Sequence, residues 1–87
     1  MSNQLSSYRK EIDKINNNIL NLIARRLRIS KKIGDFKKKM GLKIFDKKRE
    51  KQIFDKLKKD AKKKKLDPNY VLKIFQGIIS YSREVQK

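Results

Sequence analysis

The sequence predicts an all-α protein of three helices, and three observations carry that reading. Apolar residues recur at steps of three and four. Glycine and proline are nearly absent. Acids that suit helix N-caps stand at Asp46 and Asp67. The first helix is expected over about residues 6–40, on the stripe Leu5, Tyr8, Ile12, Ile15, Ile19, Leu22, Ile33 and Met40. Gly41 follows where a helix end favours glycine. A second helix, about residues 46–64, starts at Asp46 and carries Ile53, Leu57 and Ala61 on one face before a lysine run ends it. Asp67-Pro68 opens the third, about residues 68–86, with Val71, Ile74, Phe75, Ile78 and Ile79 inside.

Length then constrains assembly. The first helix would span roughly 50 Å, whereas a compact chain of this size has a radius of gyration of about 12 Å. An apolar stripe that long needs a cover, and a second copy supplies one with least invention. The expectation is a single domain over residues 1–87, in an intertwined helical homodimer. The rival is a monomer whose first helix kinks at Gly34 and folds back.

Composition narrows the chemistry. The absence of cysteine excludes disulfides and thiolate metal sites, and the absence of histidine removes the Ser–His catalytic pair. No stretch is apolar enough to span a membrane, and the first residues lack the order of a secretory signal, so the cytoplasm is expected. A net charge of +17 points to an anionic partner.

The informative residues interrupt the apolar stripes. Beyond Leu22, the inward face of the first helix meets Arg26, Ile29 or Ser30, Ile33 and Lys37. In the second helix, stepping back from Leu57 and Ile53 lands on Glu50; in the third, Val71, Phe75 and Ile78 lead to Ser82 and Gln86. Each has an ordinary reading singly, because long cations snorkel and chain-end polar residues are usually solvated. Five together on inferred core faces are harder to dismiss, since an unpaired buried charge costs several kcal/mol against a total stability of about 5–15 kcal/mol. A pocket between the helices, richer in cation than anion, accounts for all five. Such a pocket suits a small dianion, and its tools are positioning and electrostatic stabilisation.

At this point the chain resembles the all-helical chorismate mutases over nearly its whole length. The resemblance rests on Tyr8-Arg9-Lys10-Glu11-Ile12-Asp13, on Leu22-Ile23-Ala24-Arg25-Arg26, and on Ile33-Gly34 with Lys37. It continues through the D-x-x-R-E box, Asp46 to Glu50, and closes on Ser82-x-x-x-Gln86. The resemblance implies a cofactor-free rearrangement of chorismate to prephenate, in aromatic amino-acid biosynthesis, at a site shared between two chains. It implies that Arg26 grips one substrate carboxylate and that Arg9 reaches in from the partner to grip the other. Lys37 and Gln86 would donate to the ether oxygen of the breaking bond. Glu50, with the backbone near Asp46, would hold the ring hydroxyl, and Arg49 and Ser82 would complete the lining. Taken without the resemblance, Arg9 lies off its own stripe and reads as a surface residue.

Two other functions share parts of this pattern. A basic helical nucleic-acid binder would use the charge and the Lys62–Lys65 run, but it leaves the inward Glu50 and Gln86 without purpose, and no helix-turn-helix spacing is present. No nucleic-acid partner is therefore expected. An isochorismate pyruvate lyase on the same scaffold would use similar cations; the Asp46–Glu50 box favours the mutase.

Overall fold

The computed structural model describes residues 2–87, so Met1 of the expected 1–87 domain lies outside it. It contains three helices: α1 (Ser2–Met40), α2 (Lys47–Lys63) and α3 (Pro68–Gln86). The expected bounds hold to within a residue except at the start of α1, which begins at Ser2 rather than near Ser6. Leu5 extends the stripe one turn before Tyr8, and Gln4 Nε2 donates to Tyr8 Oη at 2.8 Å across the same turn.

Local chemistry sets the other ends. After α1, Gly41 adopts φ 68°, its N–H donates to Lys38 O, and the Leu42 N–H donates to Lys37 O at 2.8 Å. These two bonds make a Schellman cap, whose left-handed residue glycine adopts without steric cost. The end of α2 repeats the motif, with Lys65 N–H to Lys62 O and Leu66 N–H to Ala61 O, but here the left-handed position is Lys65, at φ 59°. Both N-caps form as expected. Asp46 accepts from the Arg49 N–H at 3.0 Å, and Asp67 accepts from the Asn69 N–H at 3.0 Å with Pro68 at the first helical position.

Both α1 and α2 pack against α3. The short turn between α2 and α3 makes them an antiparallel pair. Against α1, α3 runs parallel: the Ser30 hydroxyl meets the Ser82 hydroxyl, and Gly34 meets Gln86 one turn on. A Cβ on Gly34 would lie 2.7 Å from the Gln86 Cα. Gly34 is thus a point of close helix approach, and α1 passes through it as one continuous helix, which removes the kinked monomer considered above.

The folded chain is long and thin. Its radius of gyration is 16.7 Å and its extents are 60 × 25 × 15 Å, the longest matching the length of α1. Among the described residues, the apolar ones buried within the chain itself are Ala61 and Ile79. Leu5, Tyr8, Ile12, Ile15, Ile19 and Leu22 are each 48–60 % exposed, so the N-terminal half of α1 has no cover within its own chain. No described helix is long and apolar enough to cross a membrane.

Candidate active site

A cleft of about 390 Å³ opens where the C-terminal half of α1, the α1–α2 linker, the start of α2 and the end of α3 converge. That volume is suited to a small organic ligand. Apolar contacts come from Ile29, Ile33, Ile53 and Ile79. Polar side chains come from every element: Arg26, Ser30 and Lys37 from α1, Asp46 from the linker, Arg49 and Glu50 from α2, and Ser82, Arg83 and Gln86 from α3. Four are cations and two are carboxylates, so the lining carries a positive excess.

Helical spacing explains the convergence. Arg26, Ser30 and Lys37 share one face of α1, and the small Ser30 and Gly34 let α3 approach closely enough to bring Ser82 and Gln86 beside them. The N-cap at Asp46 fixes the first turn of α2, and with it the direction of Arg49 and Glu50. Lys37 Nζ donates to the carbonyl of Ile44 at 2.7 Å, tying the linker to α1 and leaving the ammonium two further donors.

Two buried polar side-chain atoms lack a hydrogen-bond partner among the described residues, Arg83 Nε and Gln86 Oε1, and both side chains line this cleft. Arg83 Nε keeps an ion-pair contact with Glu50, whereas Gln86 Oε1 has no partner, and a buried unpaired oxygen in a cleft marks a place where a polar ligand completes the bonding. Gln86 is only 8 % exposed. Asp60, held below the ordinary carboxylate range chiefly by a hydrogen bond from Lys56, lies outside the cleft.

The structure thus brings together seven of the eight residues expected from sequence: Arg26, Lys37, Asp46, Arg49, Glu50, Ser82 and Gln86. Arg9 is apart from them. It is exposed on α1, about 25 Å along the helix from Arg26, and does not line the cleft of its own chain. Sequence reasoning missed Arg83, which neighbours Ser82 and so falls off the inward stripe of α3. Its signal lies in three dimensions: Arg83 Nε is 3.1 Å from Glu50 Oε2, too oblique for a straight hydrogen bond but within ion-pair distance.

Comparison with known proteins places the chain in a family. Residues 8–87 match the family described as chorismate mutase type II. A chorismate mutase of Methanocaldococcus jannaschii is 40 % identical over 87 residues, covering 100 % of this chain and 88 % of that protein. A bifunctional chorismate mutase/prephenate dehydratase of Buchnera aphidicola is 40 % identical over 85 residues, covering 98 % of this chain and 22 % of that one. Among solved structures, a conserved hypothetical protein from Pyrococcus furiosus superposes with a TM-score of 0.78 at 37 % identity, covering 97 % of this chain and 96 % of that chain. A cleft of this size with a positive excess is suited to a small anionic ligand. The chain belongs to the type II chorismate mutase family.

Proposed function

We propose that this chain is a single-domain chorismate mutase of the cytoplasm, acting without a cofactor as a homodimer whose two sites each draw on both chains. The observation that carries the reading is the cleft itself: a positive excess, an apolar floor, and an unpaired buried oxygen on Gln86 at the end of α3.

Chorismate is a dianion, and the reaction folds its enolpyruvyl arm over the ring while one C–O bond breaks and one C–C bond forms. Arg26 anchors one carboxylate from within the chain. Lys37 and Gln86 flank the ether oxygen, where negative charge grows as the bond breaks. Donors aimed there stabilise the transition state more than the ground state. The Gln86 amide serves once turned so that its NH2 occupies the place of the unpaired oxygen, a choice that ligand contact decides. Glu50 has Oε2 directed at Arg83 and keeps Oε1 for the ring hydroxyl, with the backbone near Asp46 beside it. Arg49 and Ser82 complete the polar wall.

The second anchor is Arg9 of the other copy. Exposed apolar side chains of α1 begin at Leu5 and continue past Leu22 as far as Met40, and the proposed dimer centres its antiparallel pair of α1 helices near Asn17. Laying a second α1 antiparallel on that centre brings its Arg9 level with Arg25 and Arg26 of the first chain. One contact would cover the exposed apolar side chains and complete the cation set of each cleft. The surplus positive charge elsewhere would draw the dianion inward, an effect that fades with added salt.

Incubating the purified protein with chorismate, while following the fall in ultraviolet absorbance and separating products by chromatography, tests the activity. Prephenate is the expected product. Inertness toward chorismate, with pyruvate released from isochorismate, would replace the mutase with a lyase on the same fold.

A further inference from the structure

Glu50 enters the cleft from the first turn of α2 with its side chain 19 % exposed, which leaves a carboxylate partly desolvated at the edge of an apolar floor. Such a group has several rotamers and needs a partner to select one. Arg83 meets it from α3, with Nε 3.1 Å from Oε2. The arginine is itself seated, since its guanidinium carbon lies 4.8 Å above the ring centroid of Phe45. Phe45 follows Ile44, whose carbonyl holds Lys37. Two consecutive linker residues therefore brace two sides of the cleft. Arg83 also lines a second depression, together with Ile44 and Phe45. A planar guanidinium can stack on a ring and pair edge-on with a carboxylate at once, which an ammonium cannot do.

Resting on the reading of the cleft given above, we propose that Arg83, seated on Phe45, is a positioning residue that orients Glu50 toward the substrate hydroxyl. Arg83 contacts Oε2 of that carboxylate, which leaves Oε1 for the hydroxyl in the proposed complex, so it acts through Glu50. The ring hydroxyl is not a reacting atom, and its contact with Glu50 has similar strength in ground and transition states. Losing the positioning of Glu50 therefore raises KM more than it lowers kcat.

A double-mutant cycle on the full-length protein reads this directly. Arg83→Gln is expected to raise KM for chorismate about 10-fold with kcat within about 3-fold of wild type. In a Glu50→Gln background the same substitution should change KM by less than about 2-fold, because residues acting as one unit are not additive. Arg83→Lys should recover part of the loss, and Phe45→Leu should shift KM in the same direction by a smaller factor. If Arg83→Gln does not fold, Phe45→Leu in both backgrounds supplies the same comparison. Equal effects in the two backgrounds, or a fall in kcat that tracks lost folded protein at constant KM, would overturn the role of Arg83 while leaving the mutase intact. A wild-type protein that does not turn over chorismate would overturn both.

Discussion

The two halves of α1 share one helical period, yet they meet opposite fates. From Ser30 onward the inward face is narrow and polar: Ser30 touches Ser82, Gly34 admits the Gln86 backbone, and Lys37 closes on the linker. From Leu5 to Leu22 the same face is broad and apolar, and each of its large apolar side chains is about half exposed. The difference lies in side-chain size. Small residues let a neighbouring helix come close and leave room for polar groups to line a cleft. Large aliphatic residues at helical spacing ask for another apolar surface, and none of that length exists in an 87-residue chain.

The heaviest blow to this contrast falls on the uncovered half. Introducing Ile12→Glu together with Ile19→Glu puts charge into the stripe far from the cleft. The expected outcome is loss of association in sedimentation analysis and a fall in activity of more than about 100-fold, since an uncovered chain has little core of its own. An active, unassociated variant would separate the stripe from function. Within the packed half, Lys37→Ala is expected to lower kcat by about 10²–10³-fold, as for the loss of one donor at a developing oxyanion. Circular dichroism should show the helices retained. Gln86→Ala should likewise lower turnover more than substrate binding.

Gly34→Ala comes next. Its Cβ would meet backbone on α3, which a rotamer change cannot relieve, so a loss of about 1–3 kcal/mol is expected in denaturant unfolding. Activity should fall with it, because the displaced residue is Gln86. The smallest effect is of opposite sign and lies outside both halves. Lys65 occupies a left-handed backbone position that glycine adopts freely, so Lys65→Gly should raise stability by about 1 kcal/mol with turnover unchanged. A lower melting temperature for this variant would show that the Lys65 side chain contributes more than its backbone costs.

Much of this was legible in sequence because helices announce themselves locally. The caps at Asp46 and Asp67 and the stop at Gly41 depend on neighbours within four residues, and they form as the sequence suggests. The polar residues on inward faces were legible as misfits, and seven of the expected site residues do line one cleft. What escaped was chemistry decided between elements. Gly34 reads equally well as a kink or as a close approach until the helix opposite is known. Ser30 looks like an alternative to Ile29 until Ser82 is seen against it. Arg83 falls off every stripe, and only the crossing of α2 and α3 brings it to Glu50. Arg9 differs again: its proposed place depends on a surface contributed by another molecule, which no periodicity within one chain specifies.

That place is the centre of the account, and it can be tested by complementation. Arg9→Ala and Arg26→Ala variants, each inactive alone, are unfolded, mixed and refolded together, with heterodimers verified by mass spectrometry. If each site takes Arg26 from one chain and Arg9 from the other, random pairing restores roughly a quarter of wild-type sites, because each heterodimer holds one intact site. Activity near that fraction is the predicted result. Verified heterodimers with no activity above either parent would contradict a site built from both chains.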